Sequence, residues 1–312
     1  MPEITAFLKV NSPFRVFNSP FRVFHNTLVL TKGELYYIIY FEVISMQNEN
    51  KDLAERNVVK SNAIIQNARF ELSIQEQKII AYMCAKIDPH KPQEDIITLS
   101  VQEFIRICDI QEKGKIYRTV KETINKLLSR VLWIWVSEKE EMSIKWIERA
   151  WINRGSGIIK IKIDPEMKPY LYDLKQRFTQ YQLKNVLKMN SRYAIQLFEL
   201  FKSYEYRKVV SVSVDRLKKF LMIDKIKTYE DFGKFREKIL TVAINEINRC
   251  SDITVSYEVS GKEVRRITEL TFFIERKDNG QPDKQPKPKA PKTDEPYASY
   301  DINFLDGIGL ID

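Results

Sequence analysis

Between 229 and 249 the apolar positions recur at helical spacing: Phe232, Phe235, Ile239, Ala243 and Ile247, with Leu240 and Val242 beside them. At about 100° per residue the opposite side gathers Lys234, Lys238, Thr241, Asn245, Asn248 and Arg249. No carboxylate falls on that side, whereas a merely solvated face usually mixes Glu with Lys. Lys and Arg suit phosphates and guanine edges, and Asn suits adenine edges. The pattern therefore reads as a helix that enters a DNA groove, with a plain solvent face as the alternative. The chain then alternates as a strand over 252–259, turns at Ser260-Gly261-Lys262 and returns over 267–274, a β-hairpin. Lys262, Arg265 and Arg266 sit at its expected tip. A helix followed by a basic hairpin is the order of a winged helix, whose wing lies along the phosphate backbone.

The first half repeats that order. Ser73 with Glu76 three residues on is a capping box, opening a helix whose core face uses Ile74, Ile79, Ile80 and Met83 and which stops at Asp88-Pro89. A short strand over 97–101 leads into a helix over 103–110. A second helix over 115–130 turns Val120, Ile124, Leu127 and Leu128 inward and Lys115, Arg118, Lys126 and Arg130 elsewhere. Strands are expected at 131–136, 142–153 and 158–163. The stretch from Ser100 to Ile110 aligns with Ser213 to Ile223, and Val120, Ile124 and Leu127 fall at nearly the same offset on Phe235, Ile239 and Val242. The expected class is α+β: two tandem winged-helix domains related by internal duplication, with disordered N- and C-terminal extensions. The boundaries read as an irregular extension over 1–56, a first domain over 57–168, a linking helix (171–187) and second domain over 169–277, and a tail over 278–312. Within the second domain, a helix over 190–206 buries Ile195, Leu197, Phe198 and Phe201. A strand over 210–214 and a positioning helix over 215–222 follow. Tyr204, Arg207 and Lys208 could touch phosphate, with core packing or solvation as the other fate.

The spacing Tyr229-x-x-Phe232-x-x-Phe235-Arg236-x-Lys238-Ile239-Leu240-x-x-Ala243-x-x-Glu246-Ile247-Asn248 resembles the signature of the plasmid replication initiators that bind iterons, the Rep superfamily of theta-replicating plasmids. The resemblance runs over roughly 57–277, and Asn57–Ala63 opens the first domain as such proteins do. One departure is Val242, where many members carry Pro; it is assigned to the apolar side. The resemblance also brings in Arg236, which lies toward the apolar side by angle. It implies a protein that binds direct repeats of double-stranded origin DNA, helps to open the duplex and recruits the host initiator, replicative helicase and loader. It further implies a homodimer in equilibrium with monomer, the dimer repressing its own gene, with copy-number control and a cytoplasmic, plasmid-associated location.

Composition agrees with a polyanionic partner: net charge is +9 and pI about 9.2. The three cysteines, Cys84, Cys108 and Cys250, lie far apart and read as ordinary thiols of a reducing compartment. With only two histidines, His25 and His90, neither a zinc finger nor the metal site of a rolling-circle nickase can be built. No Gly-x-x-x-x-Gly-Lys-Ser/Thr loop occurs. We therefore expect no catalytic residues, metal or cofactor. A winged-helix transcriptional repressor and a nicking enzyme are the two rival readings.

The first 46 residues differ in character. Asn11–Phe17 is repeated unchanged as Asn18–Phe24. Seven codons cover about two turns of B-DNA at roughly 10.5 base pairs each. We expect this segment to be translated from iteron-like repeats ahead of the gene, with the working protein starting at Met46; an accidental duplication is the alternative. The apolar stretch over 35–44 is too short for a membrane span, which takes about 20 residues. In the tail, five of the twelve prolines lie between 282 and 296, the composition of an extended tether. Its acidic and apolar end is either a short docking peptide or a frayed terminus.

Overall fold

The computed structural model describes residues 6–9, 23–24, 27–30, 53–108, 116–137, 139–153, 156–277 and 300–301. The chain divides into two compact units, 1–52 and 53–312. In the first, β1 (Ala6–Lys9), β2 (Val23–Phe24) and β3 (Thr27–Leu30) form an antiparallel sheet in the order β1-β3-β2. Most of the heptapeptide copies, the 35–44 stretch, Lys115 and most of the proline-rich tail lie outside the described residues.

After helical residues 53–55, the second unit continues with β4 (Asn57–Ser61), α1 (Asn62–Asn67) and β5 (Ala68–Arg69). The capping box forms as expected: the Glu76 amide donates to Ser73 Oγ and the Ser73 amide to Glu76 Oε2, opening α2 (Ile74–Lys86). Ile79, Ile80 and Met83 are buried and Ile74 packs against them at the margin. Then come β6 (Ile96–Ser100), α3 (Val101–Ile107), α4 (Ile116–Ser129), β7 (Val131–Trp135), β8 (Glu141–Lys145), β9 (Ile147–Ile152) and β10 (Ile158–Ile163). They form two three-stranded sheets, β6-β10-β9 and β5-β7-β8.

The segment over 171–187 is not a helix. After a 3-10 turn (Pro165–Tyr170), the chain forms β11 (Phe178–Gln182), antiparallel to β4, and only then a one-turn helix α5 (Lys184–Leu187). Thr179 and Tyr181 point inward while Phe178 is exposed, a period of two. Flanking leucines at 171, 174, 183 and 187 mask that period behind a helical one. The pairing of β4 with β11 ties the start of the first domain to the approach to the second.

α6 (Arg192–Ser203) packs against elements of both halves and buries Ile195, Leu197, Phe198 and Phe201 as the pattern predicts. Lys60 of β4 meets Glu199 of α6 at 2.6 Å, both side chains over nine-tenths buried, and Tyr181 donates to the same carboxylate. β12 (Val209–Ser213), α7 (Val214–Phe220), α8, β13 (Ile253–Glu263) and β14 (Arg266–Arg276) complete the second domain. α8 is continuous through three pieces: Phe232–Phe235, a π-helical turn Arg236–Leu240, and Thr241–Cys250.

The two halves share one plan. In each, the first strand pairs with the last, which pairs with its hairpin partner: β6-β10-β9 and β12-β14-β13. Ser100 and Ser213 end the first strands and cap α3 and α7, each seven residues long, accepting from the amides of Glu103 and Arg216 at 3.3 Å. These are two winged-helix domains. The tail adds one element, β15 (Tyr300–Asp301), parallel to Val210–Ser211 on the outer edge of β12. Tyr204 and Arg207 are not presented to a ligand as a pair: Tyr204 is in the core and the Arg207 guanidinium stacks over its ring and that of Tyr206.

Candidate nucleic-acid interface

α8 is held along its length, and its buried stripe and Glu246 explain part of the sequence signature. At its start Asp231 caps the helix, accepting from the Lys234 amide at 2.7 Å. Phe235, Ile239, Leu240, Ala243, Ile244 and Ile247 form the buried stripe. The Lys218 ammonium of α7 lies 5.4 Å from the centre of the Phe235 ring, and burial lowers its pKa. The Glu246 carboxylate accepts from the amides of Asn190 (3.0 Å) and Ser191 (2.8 Å), clasping the entry to α6. At the far end Lys277 donates to the Asn248 and Ser251 carbonyls, where a cation meets the negative end of the helix.

Asn248 is therefore corrected. Its side chain pairs both ways with Val255 of β13: Nδ2 donates to the Val255 carbonyl at 2.9 Å and Oδ1 accepts from the Val255 amide at 2.7 Å. It fixes helix to wing, and the amide edge that a bidentate adenine contact would use is taken by Val255. Most of the signature, then, builds the helix into place rather than reading DNA.

The π turn changes which side chains face outward. Bonding i to i+5 adds a residue to one turn, so positions after 240 rotate relative to a regular α-helix. Ala243 and Ile244 take the buried places and Val242 turns out, 44% exposed, which corrects its assignment to the apolar side. Arg236 is likewise exposed rather than turned toward the core. Lys234, Lys238, Thr241, Asn245 and Arg249 are all exposed as expected. The face is not free of acid, however. Glu237 lies 2.9 Å from Lys238 and 3.9 Å from Lys234, and Arg249 lies 3.8 Å from Glu246. The hydrogen bond to Lys238 holds the Glu237 carboxyl below its usual range and raises the Lys238 ammonium. A phosphate approaching either lysine would compete with Glu237. Glu237→Gln is accordingly expected to raise affinity for any duplex and to steepen the log-log salt slope by about 0.9 for each phosphate newly neutralised. Anisotropy titrations at several salt concentrations check this; an unchanged slope would mean that the lysines do not touch phosphate.

The wing is longer than its sequence suggests. The turn is Val264-Arg265, not Ser260-Gly261-Lys262, which lies inside β13 at a β-bulge. Gly261 is needed there because a Cβ would come within 2.7 Å of Glu269 Cβ. Val264 sits at φ 52°, a conformation that β-branched residues rarely adopt. Arg265 is in the turn itself, and Lys262 is exposed on the flank. Arg266 is tied down: its guanidinium reaches both Asp215 oxygens, at 2.6 and 2.5 Å, and braces the wing against α7.

In the first domain Arg118 and Lys126 are exposed on α4, Arg118 lying 3.6 Å from Glu122. Arg130 is partly exposed and lies 3.2 Å from Glu76, the almost wholly buried carboxylate of the capping box, whose charge it balances. Asn125, exposed one to two turns from Arg118 and Glu122 on the same face, is an addition that the sequence pattern does not single out. Burial pushes the Cys84 thiol up to about 11 and Cys108 to about 12, so both stay protonated. Among the described residues no group of His, Cys, Asp and Glu could hold a metal ion, and no helix is long and apolar enough to cross a membrane.

Two family models match consecutive stretches of this chain: "Initiator Replication protein, WH1" over 57–202 and "Initiator Rep protein, WH2" over 213–274. The chain belongs to the plasmid replication initiator family. It is similar to the PI protein of Escherichia coli, 24% identical over 267 residues, which cover 75% of this chain and 88% of that protein. Its fold is similar to that of the Pi initiator protein, whose crystal structure is of a complex with iteron DNA. That likeness has a TM-score of 0.60 and 24% identity, and covers 72% of this chain and 99% of the other. The first model ends at the last turn of α6, in keeping with the pairing of β4 and β11.

Proposed function

We propose that this initiator starts plasmid replication by binding the direct repeats, or iterons, of its own origin in double-stranded form. The observation that carries this is the outward face of α8. Arg236, Lys238, Thr241, Asn245 and Arg249 stand exposed on one helix whose other side is locked into the domain, with Lys262 and Arg265 on the wing beside it. Helix and wing divide the work: base edges in the major groove for the first, backbone phosphates for the second. The α4 face of the first domain, with Arg118, Asn125 and Lys126, meets the other part of each repeat.

Binding two parts of a repeat helps to open the duplex, and the bound protein recruits the host initiator, helicase and loader. A dimer in equilibrium with this monomer represses the protein's own gene. Support for a self-contact comes from exposed apolar residues on the first-domain sheets, Ile96 and Trp151 on one and Val131 and Trp133 on the other. The protein acts without cutting DNA, a reading supported by its two histidines, too few for the metal site of a nicking enzyme. Footprinting of the native replicon tests the proposal. Protected direct repeats near the gene are the expected result, on supercoiled plasmid that acquires no tyrosine-linked 5′ end. A strand break at the protected site, or no sequence preference, would overturn it.

A further inference from the structure

We propose that Val242 is a specificity residue: it reads the 5-methyl group of one thymine in each repeat. This rests on the reading of α8 as the groove-entering helix and assigns a role to a residue that reading does not use. The placement is what points to it. Val242 follows the π turn, and that turn brings it to the outward side at 44% exposure, whereas its neighbours Ala243 and Ile244 are buried.

On that side it stands three residues before Asn245 and seven before Arg249, spacings that share a helix face, so it lies among the polar side chains. Among the exposed residues of α8 it is the one large apolar side chain. The major-groove edge of thymine offers an apolar methyl group beside its O4 acceptor, and cytosine offers none at that position. Two methyl groups of a β-branched side chain, held at a single preferred rotamer in a helix, make a rigid contact for that methyl. Cationic neighbours at 238 and 249 hold the phosphates on either side, which keeps the contact in register.

The experiment uses the full chain and duplexes carrying the repeat that it protects in its own origin, with each thymine in turn replaced by deoxyuridine. That change removes one methyl and leaves the base pair intact. Wild type is expected to lose about fourfold in affinity at one thymine, the value of roughly one buried methylene. Val242→Ala is expected to bind the natural repeat about fourfold more weakly and to be indifferent to deoxyuridine at that thymine. It should keep wild-type affinity for scrambled duplex, which shows that the helix is still folded and still basic. If Val242→Ala retains the full methyl dependence, or if wild type is indifferent at every thymine of a protected repeat, the assignment is wrong and the reading of α8 stands. If no repeat is protected, both fall together.

Discussion

Replacing Glu199 with Ala is expected to destabilise the protein by about 3–5 kcal/mol. Lys60 lies 2.6 Å from this carboxylate with both side chains more than nine-tenths buried, and Tyr181 donates to it as well. Without Glu199 the ammonium is left charged in the core, and among the described residues no second carboxylate lies within ion-pairing distance of it. The cost is that of stranding one charge, not the worth of the pair, because desolvation offsets most of the attraction between them. The double variant Lys60→Met/Glu199→Leu is therefore expected to fall close to wild type. Urea unfolding of the single and double variants measures both. A single-variant loss below about 1 kcal/mol, the scale of an exposed pair, would show that water reaches the site. The location adds a structural consequence: β4 begins the first winged helix and α6 leads into the second, so this pair joins the two winged-helix halves.

Asn245→Ala and Arg265→Ala are expected to fail differently. Asn245 is exposed at the centre of the α8 face, where its amide can pair with both groups of an adenine edge. Its loss should cost about 1–3 kcal/mol on the natural repeat and almost nothing on scrambled DNA, so specificity collapses while basal affinity stays. Arg265 is exposed in the wing turn, where the proposed contact is with phosphate. Its loss should weaken both duplexes alike and reduce the salt slope by about one. Equal losses on cognate and scrambled DNA for both variants would contradict the division between helix and wing.

The architecture is legible in the sequence because its signals are local and periodic. Ser73 with Glu76 and the stripe from Phe235 to Ile247 form where their spacing places them, and the aligned Ser100 and Ser213 end matching strands. What the sequence conceals has particular causes. Nothing in Arg236–Leu240 announces a π turn, so regular spacing leaves Val242 at the margin between the two faces rather than turned fully outward. Gly261 has the look of a turn residue but serves a bulge, and the actual turn uses Val264 in a conformation its side chain disfavours. β11 is hidden among leucines that fit a helix as well as a strand.

For the site, exposure can be inferred from sequence but engagement cannot. Asn248, Arg130 and Arg266 each have the chemistry of a DNA contact, yet the structure pairs them with Val255, Glu76 and Asp215. All three partners are far away in sequence or on another element, so no local pattern reveals them.

The binding of an origin-repeat duplex by the triple variant Lys234→Glu/Lys238→Glu/Arg249→Glu tests most directly whether the outward face of α8 holds the DNA. All three side chains are more than half exposed, so the fold should persist and circular dichroism should match wild type. With three phosphates no longer neutralised, each worth about 0.9 log units per decade of salt, and with repulsion added, binding should be roughly a thousandfold weaker at about 0.1 M salt. Loss on that scale, with no protected repeat left in a footprint, is the expected result. Site-selective binding within a few-fold of wild type would contradict it.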